Sequence, residues 1–156
     1  MNKLVPKIPG VKMMDCVQYF DARGRMIELW REDEVVYTPP AMVYFSVTKP
    51  GQQRGPHSHE FQTDCFAFTG PGDFEIHLWD GRSEVPLETH EVFIVGSSRP
   101  VRLIIPPKVI HGYKNISAYE GVVLNLPDRL YKGVDKQEPV DEVRWENNQE
   151  SPYKME

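Results

Sequence analysis

The chain is as informative in what it lacks as in what it carries. No apolar run approaches the roughly 20 residues that a membrane-spanning helix needs. The first ten residues hold lysines but no apolar stretch, so they do not read as a signal peptide. Only two cysteines, Cys16 and Cys65, occur in 156 residues. They are too few for a disulfide framework, and their spacing is neither that of a zinc site nor that of a redox pair. Both read as reduced thiols of a cytoplasmic protein. Basic runs are also missing. Eighteen Lys and Arg against 23 Asp and Glu leave a formal net charge of -5, which excludes neither phosphates nor sugars but argues against nucleic acid or an anionic membrane as the partner.

What the chain has is punctuation. Fourteen prolines and 11 glycines break up helices and favour many short strands. Phe74, Ile76 and Leu78 alternate with Asp73, Glu75 and His77, which predicts a strand over Asp73–Trp79 with one apolar and one solvated face. Asp80-Gly81 follows as a turn. Met42–Thr48, Val92–Val95, Val101–Ile105, Gly121–Leu126 and Arg25–Trp30 are further short strands, and Leu29–Val36 is the best helical stretch. Regular short strands between turns predict an all-β sandwich or barrel with few or no long helices. At this length one domain is expected over 1–156. Its core would span about 15–135, and the polar tail over 136–156, with Trp145 and Tyr153 as its main anchors, would be either a wrapped arm or partly disordered. Trp30 and Trp79 read as packing residues, His77 as a solvated one, His90 as a loop residue, and Lys108 as a surface charge.

Two segments carry chemistry. In Arg54-Gly55-Pro56-His57-Ser58-His59 the two imidazoles project together if the segment is extended, because residues two apart share a face. Gln62 and Asp64 continue that polar pattern. Pro106-Pro107-Lys108-Val109-Ile110-His111-Gly112-Tyr113-Lys114-Asn115 supplies a third histidine after a proline turn. The two segments are read as the halves of one pocket.

At these residues the chain resembles the cupins. They carry His-x-His, an acid, then Pro-x-Gly-x-x-His-x-x-x-Asn, matched here by His57, His59, Asp64, Pro106, His111 and Asn115, with Lys108 in place of the glycine. The resemblance implies a double-stranded β-helix, the cupin jelly roll. Within the cupins the chain is similar to the dTDP-4-dehydrorhamnose 3,5-epimerase (RmlC-like) family. The similarity rests on Asp21-Ala22-Arg23-Gly24-Arg25-Met26-Ile27-Glu28, on Arg54-Gly55-Pro56-His57, and on Ile105–Tyr113. It implies an enzyme that epimerises or isomerises a nucleotide-linked 4-keto-6-deoxy sugar without a cofactor, for cell-surface polysaccharide. By resemblance His57 is the base and Tyr131 a second catalytic group. Arg23, Glu28, Arg54, His59, Gln62, Asp64 and His111 would bind a nucleoside-diphosphate sugar. The chain would form a homodimer in which Arg23 and Glu28 serve the neighbour's pocket. The family's lysine after the histidine is replaced around Asp64, its tyrosine by Leu124 or Asn125, and its late Ser-x-Lys-Asp segment has no match.

Two rival readings stand beside this one. His57, His59, Asp64 and His111 form a ligand set for a divalent transition metal, which makes the chain a metal-binding cupin enzyme. The other rival is a sugar-binding cupin without catalysis.

Overall fold

The computed structural model describes residues 3–34 and 39–155. Among them, twelve strands and two short 3-10 turns follow one another: β1 Lys12–Asp15, β2 Gln18–Asp21, β3 Gly24–Ile27, β4 Tyr44–Thr48, β5 Gln53–Ser58, β6 Asp64–Phe68, β7 Asp73–Asp80, β8 Glu91–Gly96, β9 Val101–Ile105, β10 Val109–Asn115, β11 Gly121–Asn125 and β12 Val143–Arg144, with the 3-10 turns at Pro86–Thr89 and Val134–Lys136. All pairings are antiparallel. One five-stranded sheet runs β1-β9-β6-β11-β4, the other β12-β5-β10-β7-β8, and β2-β3 is a separate hairpin. This is the all-β sandwich that the proline and glycine pattern predicts, in the jelly-roll form that the cupin resemblance implies.

The sandwich is filled asymmetrically. Phe66, Phe68, Phe74, Ile76, Leu78, Val101, Leu103 and Tyr113 point inward from both sheets and form the main apolar core. The ring of Tyr113 meets Phe66, Phe68 and Phe74 edge-on at centroid distances of 5.9, 5.4 and 5.6 Å. Phe66 is the boundary, since its other neighbour is the His111 ring at 5.7 Å. Beyond it the interior is polar.

Both sheets also carry cover on their outer faces. Leu29 and Trp30 pack on Cys65, Ala67 and Ile104. Residues 28–34 are therefore not the predicted helix: they leave the β2-β3 hairpin as irregular chain with a turn at Glu32-Asp33, held where Arg102 donates to Leu29 O (3.0 Å) and to Glu34 (2.7 Å). Val35 and Val36, the end of that stretch, lie outside the described residues. On the other sheet the C-terminal arm lays Tyr153 and Met155 over Trp79 and Ile110, with Trp145 against them. The polar tail is thus a wrapped arm with the two expected anchors.

This cover corrects the reading of β7. His77 is 5% exposed rather than solvated. It is hydrogen-bonded to Glu75 and His90, each at 2.9 Å, and the His90 ring stacks on Trp79 at 4.4 Å and 5°. Two-residue alternation predicted an open outer face because it could not register that the 3-10 turn and the arm fold back over it. Lys108 carries an ion pair to Glu60 (2.9 Å) but is more than a surface charge. Its φ of 66° is the left-handed conformation that glycine adopts freely, which explains why the cupin pattern places glycine there.

Truncating Tyr153 tests the arm. Tyr153→Ala removes a ring 5.6 Å from Trp79 and 4.9 Å from Trp145 and is expected to cost about 3 kcal/mol. The loss would be read as a lower urea midpoint at unchanged m-value. A loss under about 1 kcal/mol would show that the arm is not packed on the sheet.

Candidate active site

The two predicted segments converge at the polar end of the sandwich. The His57 ring lies 5.5 Å from His59 and 4.4 Å from His111, centroid to centroid. His57 and His111 are register partners on adjacent strands, while the next interior pair is Arg54 with Tyr113. Two residues separate His111 from Tyr113, but three separate Arg54 from His57. The shift between them is a bulge, and the extra residue on β5 lets both Arg54 and His57 face inward. Gly55 sits in that bulge at φ +78°, where a Cβ would stand 2.6 Å from His111 O and 3.0 Å from the His57 ring. Only glycine lets the two strands approach this closely.

Asp64 reaches the cluster by another route than strand alternation. Strand β5 ends at Ser58, residues 60–63 turn the corner, and Asp64 opens β6 on the opposite sheet. The pocket is therefore built across the sandwich. Asp64 is 1% exposed. Its Oδ1 accepts from Gln62 and from Asn125, both at 2.8 Å, and its Oδ2 stands 3.2 Å from Nε2 of both His59 and His111. Neither contact has hydrogen-bond alignment at Oδ2, and no aligned partner reaches His111 Nε2 either.

The far side of each of these two rings is held. His59 Nδ1 donates to the Asp141 carbonyl, and His111 Nδ1 to Val109 O at 2.9 Å. A carbonyl can only accept, so both Nε2 atoms are turned toward Asp64. Burial opposes a charge on His59, yet the Asp64 carboxylate and the Asp141 carbonyl raise its pKa to about 9. Burial would likewise raise Asp64, but His111 and His59 outweigh it and hold the carboxyl well below its ordinary range. His57 differs from both. Among the described residues its ring accepts and donates no hydrogen bond, and its nearest charged group is Glu142 Oε1 at 3.9 Å from Nε2. Burial, then His111, push its pKa well below the ordinary value, so it is neutral at pH 7 with a free lone pair.

Arg54 spans the barrel mouth, donating to Thr48 Oγ1 (3.1 Å) and Val47 O (2.8 Å) on β4. Three predicted residues are not brought into the cluster within one chain. Arg23 stands at the hairpin tip with its side chain 90% exposed, bonded to Asp21. Glu28 pairs with Arg31 at 3.5 Å. Tyr131 is 47% exposed on a turn after β11, against Met42 and Lys132. Sequence reasoning missed Asn125, Tyr44, Asp141 and Glu142. Asn125 stands where the resembled family was expected to carry its tyrosine, and it links Asp64 to the Tyr44 hydroxyl (2.9 Å). No local signal marks Asp141 or Glu142.

Removing the central carboxylate is expected to be costly. Asp64→Ala leaves the His59 charge and the Gln62 and Asn125 amides without their acceptor, a loss of about 3–5 kcal/mol for a broken buried pair. It would be measured by urea unfolding near pH 7. A change within 1 kcal/mol would mean that the carboxylate is dispensable to this corner.

Comparison with known proteins agrees with this architecture. Residues 9–142 match the family described as FdtA: WxcM-like, C-terminal. The chain is 31% identical over 137 residues to the probable low-salt glycan biosynthesis epimerase Agl13 of Haloferax volcanii, covering 86% of this chain and 87% of that one. It is 35% identical over 109 residues to the spore coat polysaccharide biosynthesis protein SpsL of Bacillus subtilis, covering 69% and 71%. Among solved structures, a dTDP sugar isomerase from Desulfovibrio desulfuricans superposes with a TM-score of 0.81 at 22% identity, over 98% of this chain and 94% of that one, and so shares the fold. With the family match spanning most of the jelly roll and every strand that builds the histidine cluster, the chain belongs to the FdtA, WxcM-like C-terminal family of cupins.

Proposed function

We propose that the protein is an epimerase or isomerase of a nucleotide-linked 4-keto-6-deoxy sugar, serving surface glycan or polysaccharide synthesis, with His57 as the base. The observation that carries the reading is the state of His57: a neutral imidazole free of hydrogen bonds, 14% exposed at the pocket, beside a buried His59–Asp64 ion pair. The relatives named for glycan epimerisation and spore coat polysaccharide support it.

The residues divide the work. A 4-keto group acidifies the neighbouring C–H, and His57 takes that proton. The Gln62 amide and the His59 ring lie 3.3 Å apart; with its two N–H groups turned to Asp141 and Asp64, the His59 imidazolium acts on the enolate oxygen through its charge. Return of a proton to the same carbon from the opposite face gives the epimer. Its return elsewhere along the enediol gives the isomer. No electrons leave the sugar, so no redox cofactor is needed. Tyr131 remains the proposed second catalytic group, and His111 lines the pocket. Arg54, an exposed fork at the mouth, suits a diphosphate.

Arg23 and Glu28 would meet the nucleotide from a second copy. The unpaired edge strand β4 leaves Phe45 69% and Val47 40% exposed, and the hairpin leaves Phe20 70% and Met26 62% exposed, which supports a homodimer. No described helix is long and apolar enough to cross a membrane. Neither Cys16 nor Cys65 is in a disulfide, in keeping with the cytoplasm.

A divalent transition metal fits the same residues as a second reading. The inward Nε2 atoms and the unaligned Asp64 Oδ2 are a donor set of the right chemistry, since a ligating histidine commonly donates its other N–H to a carbonyl. His57, His59, Asp64 and His111 would hold the ion within ligand atoms at most 4.8 Å apart. It would supply Lewis-acid polarisation of the ketone.

Deuterium uptake from D2O into 4-keto nucleotide sugars tests the reaction. Wild-type protein is expected to label the carbon beside the ketone, and His57→Ala to abolish labelling. Labelling by His57→Ala at the wild-type rate would remove His57 from the role of base. Elemental analysis separates the metal reading. The free-base reading expects substoichiometric metal and unchanged labelling after EDTA dialysis. One ion per chain, lost in His59→Ala, would replace that reading with the metal one.

A further inference from the structure

The corner between β5 and β6 decides where His59 and Gln62 point; its ends are tied by Lys108 N–H to His59 O (2.7 Å) and Thr63 N–H to Asp128 Oδ1 (2.8 Å). Three successive backbone N–H groups at the corner, of Glu60, Phe61 and Gln62, converge on one carboxylate from the C-terminal arm. Asp141 Oδ1 accepts from Glu60 at 2.9 Å, and Oδ2 from Phe61 at 3.0 Å and Gln62 at 2.8 Å. Successive N–H groups of this kind make an anion-binding nest, here filled by the chain's own side chain about 80 positions away. The same residue turns its carbonyl to His59 Nδ1. One residue therefore holds both the backbone of the corner and the tautomer of the histidine that precedes it.

The arm that brings Asp141 is fixed on both sides of the contact. Val143 and Arg144 pair with Ser58 and His57, and the Trp145 and Glu146 N–H groups donate to Pro56 O at 2.9 and 3.1 Å. Tyr153 and Met155 lock its end into the apolar cluster on Trp79.

We propose that Asp141 is a positioning residue that fixes the His59 ring, and with it the charge that faces the sugar ketone. The inference rests on the reaction proposed above. Asp141 touches no reacting atom, and it acts by removing freedom from a corner whose imidazolium must keep its place beside a developing oxyanion. Misplacement of such groups by about 1 Å costs on the order of 100-fold in rate. The nucleotide end of the substrate, bound through groups that Asp141 does not touch, keeps its affinity.

The test compares Asp141→Ala and Asp141→Asn with the wild type. For Asp141→Ala, kcat is expected to fall about 100-fold with KM within about twofold. Asp141→Asn keeps one acceptor oxygen and is expected to recover about a tenth of the wild-type kcat. A second readout needs no substrate. Two downfield imidazole Nδ1–H proton resonances are expected in NMR of the wild type, one from His59 and one from His111 on Val109 O. In Asp141→Ala the corner loses its carboxylate anchor while the carbonyl remains, so the His59 signal is expected to broaden and shift upfield and that of His111 to stay unchanged. An Asp141→Ala protein that keeps both its kcat and an unchanged His59 signal overturns the inference. So does one in which kcat and KM change by the same factor while the signal stays unchanged. If Asp141→Ala does not fold, Asp141→Asn carries the same two readouts, and a wild-type kcat in it overturns the inference as well. A wild-type protein that labels no 4-keto sugar sinks the proposed reaction, while the ring-proton signals still report whether Asp141 holds His59.

Discussion

A carboxylate that is 1% exposed must be neutralised where it lies, and Asp64 sets the terms for its surroundings. An isolated ion at that depth would cost several kcal/mol. Its two oxygens are served by separate groups. Neutral amides of Gln62 and Asn125 meet Oδ1, and the two imidazoles meet Oδ2. Those four partners come from the corner, from β11, from the end of β5 and from β10. The need to satisfy one buried charge thus ties both sheets together at the end of the sandwich where apolar packing stops at Phe66.

The division of the interior into a dry end and a polar end follows from strand chemistry. Inward positions of β6, β7 and β9 carry Phe, Ile, Leu and Val away from the site. The same face carries His57 on β5 and His111 on β10. The bulge at Gly55 then adds Arg54 to the interior face, which a regular strand could not do with residues three apart. The result is a pocket with a dry floor, a buried imidazole and a cation at its mouth.

Much of this was legible in the chain. Val101–Ile105 is a strand as read, and the neighbouring apolar runs are strands within one or two residues, because proline and glycine mark their ends. His57, His59 and His111 meet because period-two spacing and a proline turn survive translation into geometry. Asp64 was legible as a member of the site but not as a residue of the opposite sheet, since a corner and a continued strand have the same spacing over Glu60–Thr63. The burial of His77 was not legible, because its cover comes from Trp79 beside it and from His90 at the end of the 3-10 turn. Asp141 and Glu142 lie in a polar tail whose composition says only that it is solvated. Their contacts arise from long-range pairing of β12 with β5, which no local pattern encodes.

The departures from the resembled epimerases fit together once exposure is considered. An aspartate where a lysine was expected should repel a growing negative charge. Asp64, however, does not face the pocket: it is 1% exposed, while the His59 side chain that covers it is 11% exposed. The pocket is faced by the His59 ring and not by the carboxylate, whose effect is to raise that imidazole's pKa to about 9. Asn125, near the position expected for tyrosine, is part of the same substitution, since its amide is what the extra carboxylate requires at Oδ1. A lysine supplies a cation by itself. Here the cation is assembled from His59, Asp64 and Asn125, and the arm becomes necessary because an assembled cation must be aimed.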